Sequence, residues 1–319
     1  MFWGRYCGRP CQLSEEDTDL HLLSSDHAVT RACSTLPGPG LSGDSLMLMS
    51  KFVQDVKDLY HSEVISTSFE DTRFTSKQIN NYVERETHGE IVDLVKDLEE
   101  DTDLMLVNYT ALHGKWTAHF QAEYTVEEDF YVDEVTTIRV PTVNRLGIFF
   151  LNWDEELSCW VLVQQSVGDA MAFFILPDPG KMQQLEGGLT QEHFANILRT
   201  TDKRFARIHF PRLSISASYD LRSTLSTLGI TRIFSNEADL SGVTEVVAIK
   251  LSTALHEAML TINGKRTETR WDTDLEDRDW SKAFTIKFNR PFFLFIRGEN
   301  TNIPLFVGKV VNPTQQELL

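Results

Sequence analysis

No stretch of about 18 or more apolar residues occurs in the chain, which excludes a transmembrane helix of ordinary length. Basic residues are in short supply: 30 Lys and Arg stand against 47 Asp and Glu, a formal net charge of −17. That balance excludes a general nucleic-acid binder, which needs a basic face for phosphate, and an anionic membrane surface would repel the chain. Cysteine is scarce as well. Of 4 cysteines, Cys7, Cys11 and Cys33 crowd near the N-terminus and Cys159 stands alone. Cys7 and Cys11 with His21 and His27 could be drawn as a zinc site, but the spacing fits no standard ligand pattern. Unpaired thiols are expected, with no metal and no cofactor. Catalytic machinery is missing too. The histidines are dispersed, no glycine-rich phosphate loop follows a strand, and paired carboxylates sit in surface-like runs such as Glu99-Glu100-Asp101. Gly43-Asp44-Ser45-Leu46 spells a hydrolase-like tetrapeptide with no strand, oxyanion turn or matching His beside it. An enzyme is therefore not expected. The start, Met1-Phe2-Trp3-Gly4-Arg5-Tyr6-Cys7, lacks the apolar core and small-residue cleavage site of a signal peptide, which taken literally describes a cytosolic chain.

What remains is a chain of 319 residues, 41% hydrophobic and 24% charged, enough for one large globular domain. Residues 1–45 form a divergent segment. Pro10, Pro37 and Pro39 with scattered Gly, Ser and Thr break every period, so mostly loop or disorder is expected there. From Leu46 the pattern is regular. Met49, Phe52, Val53, Val56 and Leu59 predict a short amphipathic helix, Val64 to Phe69 a strand, and residues 71–88 a helix stopped at His88-Gly89. Leu104-Met105-Leu106-Val107 predicts a strand buried on both faces. Strands are then expected at Phe130–Val132, Ile138–Val140, Leu146–Leu151, Trp160–Gln164 and Met171–Leu176, separated by turns. Helices are expected near 189–199 and 220–228, with strands at Arg207–Phe210 and Leu213–Ile215 between them. Two apolar strands, Phe292–Ile296 and Leu305–Val311, close the chain. No internal repeat is visible. The fold class is α+β, with large, mainly antiparallel sheets and surrounding helices.

The C-terminal strand pair carries a recognisable wording: Phe288-Asn289-Arg290-Pro291-Phe292, then Pro304-Leu305-Phe306-Val307-Gly308-Lys309-Val310-Val311-Asn312-Pro313. Upstream, Asp239-Leu240-Ser241-Gly242-Val243-Thr244-Glu245 and Phe174-Ile175-Leu176-Pro177-Asp178-Pro179-Gly180-Lys181-Met182 belong with it. So do Gln78-Ile79-Asn80-Asn81-Tyr82-Val83 and Asp58-Leu59-Tyr60-His61-Ser62-Glu63. Over residues 46–319 the chain resembles the serpin family, in wording nearest to its alpha-1-antitrypsin-like group. The resemblance implies the serpin fold over 46–319, an extracellular monomer, and an exposed reactive loop offered as bait to a serine protease. After cleavage such a loop inserts as a new central strand of the main sheet and distorts the acylated protease.

By the resemblance the loop runs from about Gly264 to Thr285, and its hinge is Arg266-Thr267-Glu268-Thr269-Arg270-Trp271. Thr267 and Glu268 match the family's hinge pair. Arg266 stands where the family carries glycine, and Arg270-Trp271-Asp272 replaces a run of small residues. Insertion sends alternate side chains to opposite faces. One set is Thr267, Thr269, Trp271 and Thr273; the other is Glu268, Arg270, Asp272 and Asp274. The first forces a Trp into a small slot, at about 1–3 kcal/mol of overpacking. The second buries charges, which is expensive when they are unpaired. Poor insertion, and hence weak or absent inhibition, is expected. Equal-length alignment puts the scissile bond at Trp280-Ser281, which suits a chymotrypsin-like pocket, although Arg278 lies two residues away.

Three further residues take roles by resemblance. Asn108 and His256 match the polar shutter under the opening sheet, and Trp116 matches the tryptophan at its upper breach. For each the plainer reading is an ordinary core residue. The segment that supplies the shutter's serines in the family has no counterpart here, nor do the family's first helices. Asn108 and His256 are therefore expected to lose partners, at about 1–3 kcal/mol for each unsatisfied group, and the chain to be incomplete or alternatively spliced at its N-terminal end. Asn108-Tyr109-Thr110 is a formal glycosylation sequon, placed at the end of a buried strand where use is not expected. Three functions stay open: a non-inhibitory binding protein, a serine-protease inhibitor, and a small-molecule carrier.

Overall fold

The structure is a computed structural model and describes residues 22–23, 29–32 and 48–314, apart from 61, 66, 68, 115–124, 166–169, 246–248, 263–282, 300 and 302. Helix α1 (Ser50–Tyr60) turns Val56 inward. Its start is held by the Asp239–Glu245 motif: Met49 N–H donates to the Val243 carbonyl at 2.9 Å, and Leu48 bridges Thr244. Helix α2 (Thr72–Glu86) begins at Asp71, whose carboxylate accepts the Phe74 N–H at 3.0 Å. It ends as expected at His88-Gly89, both at positive φ (53° and 85°), the left-handed turn that closes a helix. No helix among the described residues is long and apolar enough to cross a membrane.

The strands are β1 (Leu22–Leu23), β2 (Val29–Ala32), β3 (Leu104–Gly114), β4 (Thr125–Tyr131), β5 (Thr137–Asp154), β6 (Cys159–Gln165) and β7 (Ala170–Pro177). Helices α3 (Met182–Gly188) and α4 (Gln191–Thr200) follow, then β8 (Asp202–Pro211), β9 (Leu213–Asp220) and α5 (Leu221–Thr227). The chain closes with β10 (Leu251–Ile262), β11 (Phe284–Lys287), β12 (Phe292–Gly298) and β13 (Pro304–Val310). One sheet has the order β1-β3-β10-β9, with β2 also on β3; the other runs β11-β8-β5-β6-β7-β12-β13, with β4 on β5. Only β3·β10 and β11·β8 are parallel among the described pairings.

The main core lies between the two sheets, where Leu112, Leu213, Leu260 and Ile262 meet Phe174, Phe210, Phe288 and Phe292. The four rings contact one another at centroid distances of 4.7 to 6.5 Å, in edge-on and tilted arrangements that suit aromatic quadrupoles. Arg290, in the Phe288–Phe292 motif, donates from Nε to the Pro177 carbonyl at 2.9 Å. That bond joins two motifs far apart in sequence. Cys159 is buried, and burial pushes its thiol up to about 12, so it behaves as a small core residue.

Three expectations are corrected. Among the described residues of the strand expected at 64–69, Val64, Ile65, Thr67 and Phe69 pair with no neighbouring strand. The strands expected at 138–140 and 146–151 are one strand, β5, running through Pro141. Proline is tolerated there because pairing with β4 covers 137–143 while pairing with β8 starts at Thr142. Strand β3 runs on to Gly114, so the sequon at Asn108 lies within the strand rather than at its end.

Candidate functional site

Strand β10 lies parallel to β3, from Leu251 opposite Leu104 to Ile262 opposite Gly114. Two parallel neighbours cannot be joined by a tight turn, and the chain leaving β10 at Ile262 must reverse to return along the sheet. A strand made from residues beyond 262, placed between β3 and β10, would be antiparallel to both. Strands β3 and β10 thus meet along a parallel seam.

A side-chain hydrogen bond crosses the seam. Asn108 Nδ2 lies 2.9 Å from His256 Nδ1, and the two residues are directly opposite in register. The amide is the donor and the imidazole nitrogen the acceptor, which requires a neutral ring at Nδ1. Burial holds the His256 pKa below its ordinary 6.5, and a hydrogen bond to the Asn108 backbone offsets part of that shift. Tyr219 on β9, the register partner on the other side, stacks on the imidazole at 6.0 Å and 21°. Asn108 and His256 thus bond each other across the seam.

Both faces of the seam are covered in part, and residues 255–259 of β10 at its centre are half-buried. On one side Met105, Val107, Tyr109 and Ala111 of β3 are buried with Ile79, Tyr82 and Val83 of α2 and with Ile91, Leu94 and Val95 that follow it. Leu255 and Met259 of β10 pack on the same cluster. On the other side Leu112, Leu260 and Ile262 enter the core between the sheets. Glu257 stands beside His256 on β10, and burial raises its carboxyl pKa while Lys96 opposes the rise.

The chain re-enters the structure at β11, four residues at the edge of the second sheet and paired only with β8 among the described strands. Ile286 and Phe288 anchor it in the same cluster that holds Leu260 and Ile262. Phe284 stacks on Trp160 at 5.3 Å. Lys287 reaches Glu128 Oε2 at 3.7 Å, while Glu128 Oε1 lies 2.6 Å from His209 Nδ1. Because β11 begins at Phe284, the loop ends before the expected Thr285. A residue written off as loop belongs to a strand because β8 offers it an edge.

Of the residues singled out by sequence, Asn108 and His256 are brought together. Arg266, Thr267, Glu268, Thr269, Arg270 and Trp271 of the hinge lie outside the described residues. So do the Trp280-Ser281 bond, Trp116, and the Cys7, Cys11, His21 and His27 set. Tyr219 and Glu257 were missed, since their places depend on which strands pair. Among the described residues no group of three or more His, Cys, Asp and Glu could hold a metal.

A family model described as serpin (serine protease inhibitor) matches residues 41–313. The chain belongs to the serpin family. The alpha-1-antitrypsin-related protein of Homo sapiens is 54% identical over 272 residues, covering 85% of this chain and 65% of that protein. Alpha-1-antiproteinase 2 of Equus caballus is 51% identical over 297 residues, covering 93% of this chain and 70% of the relative. The serpin thus spans only about two thirds of the length of these curated relatives. Among solved structures, a thyroxine-binding globulin complex with thyroxine superposes with a TM-score of 0.81 at 33% identity, over 94% of this chain and 77% of that one. Human glycosylated kallistatin gives 0.80 at 35% identity, over 95% and 78%. The serpin fold, the resemblance to alpha-1-antitrypsin and the inhibitor family are thereby established for this chain.

Proposed function

We propose that this serpin presents its loop to a serine protease but inserts it poorly, so that the loop is cut as a substrate more often than the protease is trapped. The observation that carries the reading is a seam covered in part on both faces, set against a hinge with no uniformly small set of side chains. If Thr267, Thr269, Trp271 and Thr273 face one side, then Glu268, Arg270, Asp272 and Asp274 face the other. One face must accept a Trp, at about 1–3 kcal/mol; the opposite face must accept charges with no partner, which costs several kcal/mol. Insertion has to outrun hydrolysis of the acyl-enzyme, so a slowed insertion ends in release. Trp280 as the residue before the cut suits a protease of chymotrypsin-like preference, and the family resemblance supports an extracellular site of action.

The test is to mix the chain with chymotrypsin and with elastase, and to read products by denaturing gel and mass. Cleavage within 264–285 with active protease left over is expected. Replacing Arg270, Trp271 and Asp272 together by Ala should move product toward a covalent complex. A wild-type complex that survives hot detergent sinks the reading and favours an ordinary inhibitor, to which the closed seam and the antiproteinase relatives also lend support. A carrier role rests on the thyroxine-bound neighbour, and ligand-dependent thermal stabilisation would distinguish it.

A further inference from the structure

Asn108-Tyr109-Thr110 is the one Asn-x-Ser/Thr triplet, with x other than Pro, among the 319 residues. In the folded chain it is closed. All three residues lie in β3 and pair with β10: Asn108 opposite His256, Tyr109 opposite Glu257 and Thr110 opposite Ala258. Tyr109 is 1% exposed. Asn108 and Thr110 are half-buried on the other face, since successive residues of a strand point to opposite sides. There the row Asn108, His256 and Tyr219 is flanked by Leu106 and Ala254 in one cluster and by Leu112 and Leu260 in another. The atom of this triplet that takes a glycan is Asn108 Nδ2, which lies 2.9 Å from His256 Nδ1. One nitrogen is thus claimed both by the sugar and by the bond across the seam.

In the nascent chain the triplet is open. His256 lies 148 positions beyond Asn108, so at about 5–20 residues per second β3 waits about 7–30 s for its parallel partner. We propose that Asn108 is an N-glycosylation site used only before β3 pairs with β10, and that the glycan and the closed seam exclude each other. In the transfer, Nδ2 forms a bond to C1 of the donor sugar and the bond from C1 to the pyrophosphate of a lipid-linked oligosaccharide breaks. The lipid pyrophosphate leaves, and the amide proton passes to solvent. A hydrated sugar on Nδ2 then keeps the imidazole and the Tyr219 ring from closing the row, because its hydroxyls cannot be buried without partners. Each nascent chain takes one of two courses, modified and open at β3 or unmodified and folded. The proposal rests on the reading that the chain passes through a secretory compartment, and its test supplies that compartment.

The full chain behind a cleavable secretory leader is translated with microsomes, and the lumenal product is read by a gel shift that a glycan amidase removes. Two bands are expected, and because the triplet is unique the upper one reports Asn108 alone. Slowing elongation should raise the upper band about twofold, since the triplet waits longer for β10. Limited proteolysis should cut the upper band about tenfold faster than the lower one. Thr110→Val keeps the branched shape of the side chain and should give the lower band only, while Thr110→Ser should restore the upper. Equal rates of cleavage for the two bands would overturn the proposal, because the glycan then makes no difference to folding. A single lower band at every elongation rate would overturn it too, since the triplet is then refused even before β10 exists. Protection of that product from protease added outside the microsomes shows that it reached the lumen, so a missing upper band speaks against the site and not against the secretory reading.

Discussion

Replacing Asn108 by Ala removes the donor to His256 Nδ1 and leaves that nitrogen half-buried at the centre of the seam. An unsatisfied buried group costs about 1–3 kcal/mol, and the partial exposure of both residues places the expectation in the lower half, at about 1–2 kcal/mol. For a domain of this size each kcal/mol lowers Tm by about 2–4 °C, so circular dichroism should show a fall of about 2–8 °C. The loss should be specific to the pair. In a double-mutant cycle with His256→Ala, the coupling energy should be about 0.5–1.5 kcal/mol. On the proposed insertion between β3 and β10 the penalty falls on the closed seam, and an added strand peptide should enter about 5–30 times faster. An Asn108→Ala protein that melts within a degree of the wild type, with no coupling to His256, would refute the assignment of this pair as a latch.

The same histidine gives the stability a signed dependence on pH. Its folded pKa lies below the ordinary 6.5, so the unfolded chain binds the extra proton first, and stability falls as pH drops through that value. His256→Gln should flatten this part of a stability-versus-pH curve. Glu257 works in the opposite sense: burial raises its pKa above the ordinary 4.5, so acidification through that interval stabilises the fold, and Glu257→Gln should remove the gain. At the far end of the loop, Phe284→Ala removes the ring stacked on Trp160 and should cost about 0.5–1.5 kcal/mol, with a red shift in tryptophan emission as the readout. An unchanged spectrum would mean that β11 is held by Ile286 and Phe288 alone.

The residues themselves determined a good deal. The apolar spacing of α1, the His88-Gly89 stop of α2, and the closing pair β12 and β13 are local patterns, and local sterics and burial are enough to write them. The serpin wording around Phe288–Pro313 and Asp239–Glu245 was likewise legible in the chain. Tertiary structure decided the rest. Asn108 and His256 lie 148 positions apart, and nothing in either strand's periodicity says that they pair, that the pairing is parallel, or that Tyr219 completes the row. Alternation tells a strand which face to bury but not which neighbour to choose, since backbone hydrogen bonds are the same for every sequence. For the same reason Pro141 read as a break until the offset of β4 and β8 left room for it, and Asn80 read as one polar position on a helix until the returning chain placed Val95 within reach of its amide.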